Sequence, residues 1–79
     1  MEATKQNVEN IRSSLTFDLM FMKEPYYDKL TEEQMKELDD EIDRKIEKLL
    51  PNYNGELPPS VVFNSILERT INNFVKSLL

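Results

Sequence analysis

The run Thr31-Glu-Glu-Gln-Met-Lys-Glu-Leu-Asp-Asp-Glu-Ile-Asp-Arg-Lys-Ile-Glu-Lys-Leu-Leu50 decides the fold class. Thr31 and Gln34 stand at the two ends of a capping box, where each side chain satisfies a backbone amide that a helix start leaves orphaned. Leu30 and Met35 flank the box at the positions of a hydrophobic staple. Met35, Leu38, Ile42, Ile46 and Leu49 then follow at helical steps, confined to a stripe about 60° wide. The opposite side is charged, with Glu32–Lys36, Lys36–Asp40, Asp40–Arg44 and Glu41–Lys45 at i,i+4 spacing. Lys45 and Lys48 suit the negative pole of the helix dipole. The spacing predicts a helix over about 32–50.

Upstream, Val8, Ile11, Leu15, Leu19 and Met22 repeat the same steps, which predicts a first helix over about 4–23. A strand reading competes over 15–22, because Leu15, Phe17, Leu19 and Phe21 also alternate, but it has no evident partner strand. Ser13 and Ser14 mark a kink or break within the segment. An extra turn fits Tyr26–Lys29. Downstream, Asn52-Tyr-Asn-Gly55 is a turn signature, and Pro58-Pro59 opens a third helix over about 59–78, with Ser60 as a cap.

That third segment carries Val61, Val62, Phe63, Ile66, Leu67, Ile71, Phe74, Val75, Leu78 and Leu79, more than one core stripe needs. A helix so apolar must be covered from more than one side. The expectation is an all-α fold: one domain over 1–79, a three-helix antiparallel bundle associating as a helical homodimer. Its dimer interface would run through Phe63, Leu67, Phe74 and Leu78. Size points the same way, since 79 residues without disulfide or metal sit near the edge of independent stability.

Composition narrows the chemistry. The chain has no Cys, His or Trp and one glycine, Gly55. Disulfide scaffolds, zinc sites and His- or Cys-based catalysis are excluded, and one glycine builds no phosphate-cradling loop. The Asn52–Gly55 turn lacks the acids of a calcium loop. The expectation is a protein that is not an enzyme, with no cofactor and no metal. The polar, acidic amino terminus is unlike a signal peptide, and the charged third segment is unlike a membrane span. The chain reads as soluble and cytoplasmic, with no membrane partner.

Two surfaces then stand out. Residues 24–43 hold nine acids and two bases, net −7 in a chain of net −5. The plain reading is a solvated helix face; the sharper one is an acidic patch of Glu33, Glu37, Asp40 and Glu41 that meets a basic partner surface. Direct nucleic-acid binding is disfavoured, because the ten bases form no stripe. Phe17, Met20 and Phe21 project away from the Val8–Met22 stripe, either to cap the bundle beneath Tyr26 and Tyr27 or to form an apolar contact face. The functional expectation is a small acidic module that binds and regulates or inhibits another protein, of a kind not out of place in a phage or mobile element. The alternatives are an assembly subunit of a larger complex and a nucleic-acid mimic that blocks a DNA- or RNA-binding groove.

Overall fold

A computed structural model describes the backbone of residues 2–53 and 55–78, and side chains from Asn7 onward. Met1, Asn54 of the expected turn and Leu79 of the third apolar segment lie outside the described residues. Four α-helices follow one another: α1 (Glu2–Ser14), α2 (Thr16–Lys23), α3 (Glu32–Leu49) and α4 (Pro59–Leu78). Short 3-10 turns over Glu24–Tyr26 and Leu50–Asn52 close α2 and α3. Among the described residues there is no strand, so the alternation at 15–22 gives way to the helical period.

The predicted first helix is two helices, broken at Leu15. The Leu15 amide is shared between the Ile11 and Arg12 carbonyls, both at 3.1 Å. The Thr16 hydroxyl donates back to the Ser13 carbonyl at 2.8 Å and the Arg12 carbonyl at 3.4 Å, and the Ser14 hydroxyl to Asn10 at 3.0 Å. Side-chain hydroxyls thus serve carbonyls that a continuous helix would serve with amides, a known cause of helix bending. The apolar stripe survives the break: Val8, Ile11, Leu15 and Leu19 are all buried.

Helix α3 forms as its sequence dictates. Gln34 donates its amide to the Thr31 hydroxyl at 3.1 Å, and the Thr31 amide donates to the Gln34 side-chain oxygen at 2.9 Å. Leu38, Ile42 and Ile46 face the core, and Leu30 and Met35 join it beside the cap. The i,i+4 charge pairs expected on its outer side are replaced, among the described residues, by a contact between Glu41 and Arg44. The following loop reverses through Gly55 at φ 82, a left-handed conformation glycine adopts without a steric penalty. It is pinned by Tyr53, whose ring meets Phe63 edge-on at 5.4 Å and whose hydroxyl donates to the Leu57 carbonyl at 2.7 Å.

Helix α4 packs against α1, α2 and α3. Phe63, Leu67, Ile71 and Val75 are buried there, and Thr70 is buried with its hydroxyl bonded to the Ile66 carbonyl at 2.9 Å. Ser60, expected as its cap, sits inside the helix. Most of the broad apolar arc is therefore covered within one chain, by three helices, while Val61 near its start stays 64% exposed. Phe63 and Leu67 have no exposed surface at all. Their assignment to a dimer interface is corrected: they are core. Phe74 is half-buried against that core, and of the four only Leu78, 39% exposed, faces outward.

Candidate functional site

Helix α2 buries one side and displays the other. Its eight residues, Thr-Phe-Asp-Leu-Met-Phe-Met-Lys, contain five large apolar side chains. Leu19 goes into the core with Leu15 before it, and Met22 packs partly against them. Phe17, Met20 and Phe21, spaced by three and four, occupy the opposite side. Phe17 is 71% exposed, Phe21 64% and Met20 41%. They do not cap the bundle. Tyr26 fills that place instead, half-buried, with its hydroxyl donating to the Asn72 side-chain oxygen at 3.1 Å. Scattered single apolar residues are ordinary on protein surfaces, whereas two phenylalanines and a methionine on adjacent turns form a patch.

On its own helix and the turn after it, that patch is bordered mostly by acids. Between Thr16 and Asp28 the acids are Asp18, Glu24 and Asp28, and the one base is Lys23. Glu24 continues the Phe17–Met20–Phe21 line one turn further, and Asp18 flanks it. Lys23 is turned away, its ammonium 2.8 Å from an Asp39 carboxylate oxygen on α3 and its side chain only 16% exposed.

The acids of α3 divide into two rows. Asp39 and Asp43, four residues apart, face the first two helices: Asp39 holds Lys23 of α2, and Asp43 holds Arg12 of α1 at 2.7 Å. These ties, one on each side of the Leu15 break, were not legible in an acid-rich run. Asp43 also keeps a buried carboxylate oxygen, Oδ1, with no hydrogen-bond partner among the described residues. Burial pushes its carboxyl above the ordinary value; the Arg12 guanidinium pulls it down, and Asp39 and Asp40 push it up again. Glu33, Glu37 and Asp40 form the outward row, exposed and making no ion pair among the described residues. Glu41, expected in that row, is half-buried and paired with Arg44.

The structure therefore brings Phe17, Met20 and Phe21 together as one face, and Glu33, Glu37 and Asp40 as another. Phe63 and Leu67 belong to neither. Among the described residues no cluster of three or more carboxylates is arranged to hold a metal ion, and no helix is long and apolar enough to cross a membrane. No known protein family, curated protein or solved structure matches the chain.

Proposed function

We propose that the chain is a non-catalytic module that binds another protein through helix α2 and so regulates or blocks it. The observation that carries this reading is the outward placement of Phe17 and Phe21, at 71% and 64% exposure. A small domain short of core would stabilise itself by burying two aromatic rings, each removing on the order of 150–250 Å² from water. Leaving both in solvent forgoes that gain, and a contact surface accounts for it.

A second reading, a nucleic-acid mimic, draws support from the outward row of Glu33, Glu37 and Asp40, which makes no ion pair among the described residues. Affinity capture from the native cell with wild-type chain, Phe17→Ser/Phe21→Ser and Glu37→Lys/Asp40→Lys separates the two. Loss of the captured partner in the phenylalanine variant alone is the expected result. Loss in the charge variant alone would favour the mimic. Recovery of nothing but further copies of the chain would favour an assembly subunit and sink the first reading.

A further inference from the structure

We infer that the α2 face receives an amphipathic helix of the partner, one whose apolar stripe is bordered by lysine or arginine. The inference rests on the reading of the chain as a protein-binding module and names the chemistry of what it binds. Three observations select this occupant over others.

The first is charge. Every charge bordering Phe17, Met20 and Phe21 on their own helix and the turn after it is acidic, apart from Lys23, which Asp39 already engages. An apolar patch with Asp18 beside it and Glu24 in line with it is complementary to an apolar stripe with cations along its edge. The second is shape. Side chains at i, i+3 and i+4 form a short ridge of the kind that beds between the ridges of another helix. Met20 gives that ridge an adaptable centre between two rigid rings. Among the described residues the chain offers no strand, hence no open edge for a partner strand to pair with, so the contact is made by side chains.

The third observation weighs against the two simplest competitors. In an antiparallel contact between two copies that matches this ridge to itself, Phe17 of each copy meets Phe21 of the other, and the Asp18 and Glu24 carboxylates of both copies border one apolar seam with no cation of α2 between them, a like-charge arrangement that opposes pairing. An anionic lipid surface is disfavoured by the same acids and by a chain net charge of −5.

The test uses the full chain with two designed helical peptides of about 18 residues that share a leucine stripe at i, i+3, i+4 and i+7. One carries lysine on its remaining positions and the other glutamate. The lysine peptide should bind at least about tenfold more tightly than the glutamate peptide, and its affinity should fall as salt rises. Amide resonance shifts should concentrate over residues 16–24. Phe17→Ser/Phe21→Ser should weaken binding by about tenfold or more with the helical circular dichroism retained. Asp18→Lys/Glu24→Lys should reverse the preference between the peptides. If both peptides bind alike through Phe17 and Phe21, the basic border is wrong while the binding-module reading stands. Shifts that map away from α2, or undiminished affinity in the phenylalanine variant, overturn the site. If neither peptide binds and the wild type associates through Phe17 and Phe21 with itself or with anionic vesicles, the partner helix and the binding-module reading fall together.

Discussion

Arg12 on α1 and Asp43 on α3 meet at 2.7 Å through Asp43 Oδ2, while the neighbouring Oδ1 is buried without a hydrogen-bond partner among the described residues. One oxygen of this carboxylate joins two helices, and the other loses its hydration with nothing in exchange. Because the folded-state pKa of Asp43 is raised, the protonated carboxyl is the form the fold favours. Its contribution to stability is fully present below the ordinary aspartate value and is lost as pH rises through the raised folded value. Asp43→Asn keeps an acceptor for Arg12 and removes the charge. It should match or exceed wild-type stability at neutral pH, within about 0.5 kcal/mol. Any advantage of the variant should shrink on acidification, as thermal unfolding followed against pH would show. An advantage that grows as pH falls would contradict the assignment.

Phe63 and Leu67 distinguish a core from an interface. Phe63→Ala should cost about 3–5 kcal/mol and Leu67→Ala about 2–5 kcal/mol. For a chain whose total stability is on the order of 4–12 kcal/mol, either is a large fraction. The loss should appear in urea denaturation and should not depend on protein concentration. A midpoint that rises with concentration in the wild type and ceases to do so in the variants would restore these residues to a dimer contact.

The Thr31 cap should be worth its ordinary amount. Thr31→Ala removes the acceptor for the Gln34 amide and should destabilise the chain by about 1 kcal/mol, while Thr31→Ser should retain most of that. Equilibrium denaturation of the pair checks it.

Reversing charge on the outer row of α3 should leave the fold intact. Lysine at position 37 would gain Glu33 and Glu41 as i,i+4 neighbours in place of like-charge repulsion. Glu37→Lys should therefore raise stability by about 0.2–0.5 kcal/mol at low salt, and the gain should fade at high salt. A loss of 1 kcal/mol or more, on the order of a buried interaction, would show that Glu37 has a partner within the fold.

Helix α3 could be read almost whole from the sequence, because its cap, staple and five-residue stripe all belong to one continuous local pattern. The stripe of α1 and α2 was equally plain. The break at Leu15 was marked only by the neighbouring serines, and the Thr16 hydroxyl that bonds across it carries no periodic signal. Helix α4 showed how much of its circumference must be covered but not by what. Apolar width says nothing about how many neighbours one chain supplies, and Phe63 and Leu67 went to the wrong partner for that reason. The pairing of Asp39 with Lys23 and of Asp43 with Arg12 was hidden for another reason. Nine acids in twenty residues look alike until the packing of α1 and α2 selects two of them. On the candidate site, spacing alone set Phe17, Met20 and Phe21 apart from the stripe. Only their exposure decides that they lie outside the bundle.

The interleaving of inward and outward residues in α2 has an evolutionary consequence. Leu15 and Leu19 anchor the rotation of this short helix, and the outward positions 17, 20 and 21 carry little of the packing that holds it. Point changes at those three sites can accumulate without touching the core, leaving the contact surface free to follow a changing partner. A one-residue insertion or deletion between Leu15 and Leu19 has no such freedom. It would turn the rest of the helix by about 100° and carry the outward set toward the interior. Lineages of this chain should therefore diversify at 17, 20 and 21 by substitution while keeping the length between the two leucines unchanged.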